Sequence, residues 1–154
     1  MYQVEQTAAD KSVNIHETNE RIRVIIVDDH KLMRSIMHEL LKRDEHIEVV
    51  GSAADGVEAL QLIQNATSDV VLMDLALPEM DGVEVLKKIR ERSINTPVII
   101  VSVHSQTHAV NRALQEGAQG YVTKTSMTRE LVPAIWAVCG GETYVSKSIS
   151  QFRA

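Results

Sequence analysis

With 154 residues, 44% hydrophobic and 24% charged, the chain is long enough for one domain with a proper core and has the balance of a globular protein. A formal net charge of −5 argues against a dedicated nucleic-acid surface, which usually declares itself as a basic domain, while leaving room for a local basic patch. The single cysteine, Cys139, excludes an internal disulfide, no apolar run is long enough to span a bilayer, and Met1 to Glu20 lack a signal peptide's apolar stretch, so a cytoplasmic protein is expected.

Residues 1–20 show no sustained period and read as an N-terminal extension, either loose or forming a short helix on the domain. From Ile22 short apolar runs alternate with amphipathic segments. The runs are IRVIIV ending at Val27, IEVVGSA from Ile47, DVVLM ending at Met73, PVIIVS ending at Ser102 and QGYVT ending at Thr123. The first, third and fourth are almost continuously apolar, which predicts strands buried on both faces. Between and after the runs lie five stripes at the helical period: Leu32, Ile36, Met37, Leu40 and Leu41; Val57, Leu60 and Ile63; Val85, Leu86 and Ile89; Val110, Ala113 and Leu114; and Leu131, Ala134, Ile135 and Val138.

Local chemistry supports these boundaries. Asp55 stands three residues before Glu58 and Asp81 three before Glu84, the spacing of a capping box. Gly117, Gly140 and Gly141 follow helical stretches, where a left-handed stop favours glycine, and Pro97 opens a strand. Strand then helix, five times over, implies parallel pairing, right-handed crossovers and helices on both faces: a five-stranded, doubly wound α/β fold. In such sheets ligands sit outside the carboxyl ends of the strands.

Those ends carry a distinctive set. Asp28 and Asp29 follow the first run, Asp74 the third, Ser102 closes the fourth and Lys124 follows the fifth. Three carboxylates in one crevice repel each other, and a divalent cation relieves the repulsion. An oxygen-only set suits Mg²⁺, which can bridge a carboxylate and a phosphoryl oxygen. Lys124 offers a compact positive charge to a second phosphoryl oxygen, Ser102 a hydroxyl to a third, and Asp74 a nucleophile that would form an acyl phosphate. Any one of these residues alone is more often a solvated loop polar; four consecutive sheet ends with DD, D, S and K form a specific pattern.

The segment from Arg21 to about Ser146 resembles the receiver domain of bacterial two-component response regulators. The resemblance is carried by VDDH (Val27 to His30), DVVLMDLALPEMDG (Asp69 to Gly82), PVIIVSVHS (Pro97 to Ser105) and GAQGYVTK (Gly117 to Lys124). AVCGGETYVS (Ala137 to Ser146) is similar to receivers that precede a helix-turn-helix domain of the NarL/FixJ (LuxR-type) class. The resemblance implies a flavodoxin/CheY-like sheet of order 2-1-3-4-5 with five flanking helices, a receiver over residues 21–141, and a tail or start of a linker over 142–154.

It also implies a signalling switch rather than an enzyme, one that takes part in its own phosphorylation and dephosphorylation. A histidine kinase or phosphotransfer protein would phosphorylate Asp74. Asp29 would bind Mg²⁺, or Mn²⁺ as a substitute, directly, and Asp28 through water, with Asp74 and the Ala76 backbone carbonyl as further ligands. Lys124 would pair with the phosphoryl group. Ser102 and Tyr121 would form a switch pair, the hydroxyl moving toward the phosphoryl group and the ring moving inward behind it. The face formed by the fourth helix, fifth strand and fifth helix, near Tyr121, would carry the signal, a homodimer is admitted, and no membrane is involved. The chain itself would not bind DNA; a DNA-binding output domain for transcription regulation would have to be joined to it, and fragment and stand-alone receiver both remain open. Ser102 stands where threonine is frequent and Leu77 where methionine is common. Thr125 stands where many receivers have a cis proline, which predicts a cis Lys124–Thr125 bond at about 2.5–4 kcal/mol above trans.

Other functions fit less well. An aspartyl-nucleophile phosphatase or dehalogenase-type hydrolase needs a second aspartate two residues after the nucleophile, where this chain has Ala76, and room for a cap domain. A flavin module needs a hydroxyl- and glycine-rich phosphate loop after the first strand, and two aspartates there would repel phosphate. A degenerate, non-phosphorylated receiver would have lost some of the groups that this chain keeps. His104 and His108 are four apart without a third metal ligand, so a partner-facing polar helix is the plainer reading, although His104 lies near enough to Ser102 to steer or block water. His30 is expected to pack or hydrogen-bond near the first helix. Trp136 and the scattered methionines read as packing.

Overall fold

The structure, a computed structural model, describes residues 20–152. The N-terminal extension expected over residues 1–20 lies outside the described residues except for Glu20. The elements run β1 (Ile22–Val27), α1 (Lys31–Leu41), β2 (Ile47–Ala53), α2 (Gly56–Asn65), β3 (Val70–Met73), α3 (Gly82–Glu91), β4 (Val98–Ser102), α4 (Thr107–Gln115), β5 (Gly120–Thr123), a 3-10 turn (Lys124–Ser126), α5 (Met127–Cys139), β6 (Tyr144–Val145) and a 3-10 segment (Lys147–Phe152). The strands form one sheet in the order β2-β1-β3-β4-β5-β6, and every pair is parallel.

Alternation along each buried strand sorts the core into two layers. Ile25, Val27, Val71, Met73, Val98, Ile100 and Tyr121 face one side, where Leu60 and Ile63 of α2, Leu86 and Ile89 of α3, and Val110 of α4 cover them. Ile22, Val24, Ile26, Leu72, Ile99 and Val122 face the other, under Met37 and Leu41 of α1 and Leu131, Ile135 and Val138 of α5. Each face buries a continuous apolar surface, the main force holding such a sandwich. The helix starts follow their sequence signals: Asp55 accepts the Glu58 N–H at 2.7 Å, and Asp81 accepts the Glu84 N–H at 2.9 Å.

Three expectations need correction. The sheet has six strands rather than five, because Tyr144–Val145, in the stretch read as a tail, pairs with Gly120 and Tyr121. Two residues are too short to show a strand period, so only the sheet edge itself selects them. The first helical stripe is buried only at Met37, Leu40 and Leu41; Leu32 is 73% exposed and Ile36 37%. Finally, no cis peptide occurs among the described residues, so Lys124–Thr125 is trans. Without proline the secondary amide keeps its strong trans preference, and the 3-10 turn still delivers Lys124 to the sheet edge. No helix among the described residues is long and apolar enough to cross a membrane.

Candidate functional site

Parallel register brings the expected residues to one edge. Val27 pairs with Met73, Met73 with Ile100, and Ser102 with Thr123, so Asp28, Asp74, Ser102 and Lys124 leave the sheet side by side. The backbone fixes the carboxylate loops: Asp74 N–H donates to the Val27 carbonyl at 3.0 Å and Asp28 N–H to the Ala53 carbonyl at 3.1 Å. α3 begins against the Asp74 backbone, where a Cβ on Gly82 would come within 2.4 Å of the Asp74 carbonyl oxygen. Only glycine fits there.

Lys124 joins the centre together. Its Nζ lies 2.9 Å from Asp28 Oδ2 and 2.9 Å from Asp74 Oδ2, and its side chain is 11% exposed. Burial alone pulls the ammonium's pKa down, but the hydrogen bonds and charges of Asp28 and Asp74 outweigh it and hold the group above its ordinary value. Asp28 is fully buried and Asp74 nearly so, whereas Asp29 is about one-third exposed at the mouth. Asp28 Oδ1 accepts the His30 N–H at 2.9 Å, Arg34 donates to the Asp28 carbonyl at 2.7 Å, and Ala76 N–H approaches Asp74 Oδ1 at 3.3 Å.

One ammonium cannot neutralise three carboxylates, two of them out of water. The donor set therefore fits a hard divalent cation, which would make up the missing positive charge. The described residues include one compact group of three possible metal ligands: Asp28, Asp29 and His30. His30 Nδ1 stands 3.4 Å from Asp28 Oδ1 and 3.2 Å from Asp29 Oδ1, with the imidazole 72% exposed. His30 also stands where the sequence reading expects it, at the start of α1, where its carbonyl accepts the Arg34 N–H at 3.1 Å; its approach to the two acids is the added finding.

On the far side, Ser102 and Tyr121 meet through the backbone of His104. The Tyr121 hydroxyl donates to the His104 carbonyl at 2.8 Å, and Ser102 Oγ accepts the His104 N–H at 3.0 Å. Tyr121 is fully buried, so the ring already lies inside the domain. Burial pushes its hydroxyl pKa up, hydrogen bonding to Ser102 pulls the other way, and the Asp74 charge adds to the rise. The His104 and His108 side chains line a shallow cleft with Asp81 and Arg112 between α3 and α4 and form no metal cluster. Trp136 packs as expected, donating to Asp44 at 2.8 Å with its ring edge-on to His46. Sequence reasoning missed a buried polar link beside β5: Glu130 and Ser146, whose hydroxyl meets the Glu130 carboxylate.

Comparison with known proteins agrees with this geometry. Residues 24–136 match the response regulator receiver domain family. The chain is similar to the response regulator UvrY of Escherichia coli, at 35% identity over 130 residues that cover 84% of this chain and 60% of the relative. It is 37% identical to the probable transcriptional regulatory protein NarL of Mycobacterium tuberculosis, again over 130 residues, 84% of this chain and 60% of the relative. Thus it spans about 60% of the length of these curated relatives. Among solved structures, a LuxR-family two-component response regulator from Aurantimonas superposes with a TM-score of 0.82 at 37% identity, covering 86% of this chain and 94% of that one. The NarL receiver domain of M. tuberculosis gives 0.77 at 37% identity, covering 80% and 99%. Strand ends that bring DD, D, S and K to one edge, on a sheet shared with these proteins, make the chain a receiver domain of the two-component response regulator family, on its NarL/UvrY, LuxR-type side.

Proposed function

We propose that this receiver is a Mg²⁺-dependent switch that accepts a phosphoryl group on Asp74 from a phosphohistidine of a histidine kinase or phosphotransfer protein. The supporting observation is Lys124, whose ammonium touches both Asp28 and Asp74 at 2.9 Å. In the transfer the donor's P–N bond breaks, an Asp74 carboxylate oxygen forms the new P–O bond, and the imidazole leaves. Asp28, Asp29, Asp74 and the Ala76 carbonyl would hold Mg²⁺, with Mn²⁺ as a substitute. When bound, the cation would offset the negative charge that the carboxylates and the incoming phosphoryl group bring together during transfer. Lys124 then exchanges one carboxylate partner for a phosphoryl oxygen, and Ser102 turns its hydroxyl toward the same group. That turn would release the His104 backbone, to which Tyr121 is also bonded, and so alter the α4-β5-α5 face.

In this reading the chain is a signalling switch rather than an enzyme acting on other substrates, and it works in the cytoplasm. Relatives named as transcriptional regulators support an output in transcription, through a DNA-binding domain joined to the receiver and not through the receiver itself. A homodimer is a compatible form of the active state. The test is mass spectrometry of the intact protein after exposure to acetyl phosphate and Mg²⁺. One phosphoryl group should add to the wild type and none to Asp74→Asn or to chelator-treated protein. Equal modification of Asp74→Asn would sink the assignment.

A further inference from the structure

The inner face of α5 is apolar except for Glu130, a carboxylate only 6% exposed. A carboxylate so far from water is costly unless its oxygens are engaged. Both are, by the segment that follows α5. Oε1 accepts the Ser146 hydroxyl, and Oε2 accepts the Lys147 N–H at 3.1 Å. Ser146 is fully buried; its oxygen accepts the Thr123 N–H at 3.0 Å, and its own N–H donates to the Tyr121 carbonyl at 2.9 Å.

This arrangement compensates for a short strand. The register of β6 with β5 stops at Tyr121 and Val145. Beyond it the Thr123 N–H would face a buried region without a partner strand, and a buried backbone donor has to be satisfied. The Ser146 side chain does this, and Glu130 fixes the Ser146 hydroxyl. The residue after Thr123 is Lys124, at the centre of the carboxylate site. Ile149, 2% exposed, lies in the same apolar cluster as Tyr121 and holds the segment from its other end.

We propose that Glu130 and Ser146 are positioning residues of the phosphoryl-accepting site: the chain Glu130–Ser146–Thr123 sets the end of β5 that delivers Lys124, so the site is complete only with residues 144–149 in place. The proposal rests on the functional reading above. An ammonium in contact with two carboxylates has little slack, and reaction rates fall steeply when a charged group is misplaced. Thermodynamic linkage makes the coupling reciprocal: an occupant that shifts Lys124 draws on the same hydrogen-bonded chain, and so on the segment running away from the domain.

The test uses the full chain and its variants Ser146→Ala, Glu130→Leu and Glu130→Gln. Ile63→Val serves as a mild core destabilisation in α2, which packs against β1 and β2, at the other end of the strand order from β5. Initial rates of phosphorylation by acetyl phosphate with Mg²⁺ are read beside Tm and beside amide hydrogen exchange over residues 120–126 without phosphodonor. Ser146→Ala and Glu130→Leu should react roughly tenfold more slowly, and Glu130→Gln, which keeps an acceptor for the Ser146 hydroxyl, should stay within about twofold of wild type. Exchange over 120–126 should quicken in the first two only, while Ile63→Val loses stability at an unchanged rate. Wild-type rates in both Ser146→Ala and Glu130→Leu, or equal slowing in Ile63→Val, overturn the proposal alone. A wild-type chain that gains no phosphoryl group overturns the functional reading, and this inference with it.

Discussion

An ammonium buried between two carboxylates does structural work even when nothing is bound, because removing it leaves both acids facing each other. Lys124→Met should therefore lower the unfolding free energy by about 3 kcal/mol in denaturant titrations without metal, the scale of breaking a buried ion pair from one side. A loss no larger than that of a surface lysine would show that water already screens the site. Cys139 tests a different effect of burial. Burial pushes its thiol pKa up from an ordinary 9.0 to about 12, with the Asp69 charge adding to the rise. Between those values the folded chain keeps a proton that the unfolded chain gives up. The contribution of Cys139 to stability is thus intact below pH 9.0 and drains away as pH climbs toward 12. At mildly alkaline pH the native thiolate population should be about a thousandfold below that of the unfolded chain, and alkylation by iodoacetamide should be slower to match. Comparable rates with and without urea would contradict this.

At the scale of elements, the end of the sheet away from the site depends on Arg90 of α3. Its guanidinium donates to the carbonyls of Ile94, Thr96 and Gly117 and to the Gln119 side chain, clamping the loops before β4 and β5. Arg90→Ala should cost about 1–3 kcal/mol by leaving carbonyls unsatisfied, and Arg90→Lys should not restore it, because one ammonium cannot reproduce a planar fork. The phosphoryl uptake proposed for Asp74 should survive both changes, since the clamp and the carboxylates lie at opposite ends of the strands; its loss at full foldedness would refute that separation. The elements differed in how plainly the sequence announced them. β1, β3 and β4 are buried on both faces and write themselves as unbroken apolar runs, and Asp55 and Asp81 marked two helix starts. β6 has two residues and no such mark. α1 misled because Leu32 continues the helical period yet faces outward, and periodicity alone does not say where the covering surface ends.

Across the whole molecule the site was legible because the fold reduces it to a list of strand ends: a parallel sheet carries the residue after each strand to the same edge. Contacts made by side chains reaching back from elsewhere were not legible. Neither the approach of His30 to the acids nor the Glu130–Ser146 link follows from strand order, since each depends on where a loop or a late segment folds. The same edge joins site charge to global stability. Asp28, Asp29 and Asp74 present three negative charges against the single Lys124, and the folded chain alone holds them together. A cation that binds the folded chain and not the unfolded one must stabilise it by mass action, by about 2.7 kcal/mol at a hundredfold excess over its dissociation constant. Tm should therefore rise with Mg²⁺ in wild type. In chelator, Asp29→Asn should melt above wild type, because one repelling charge is gone; in excess Mg²⁺ it should melt below, because a ligand is gone. The crossing of the two curves is the diagnostic result. Parallel curves would mean that Asp29 neither strains the empty site nor helps to hold the metal.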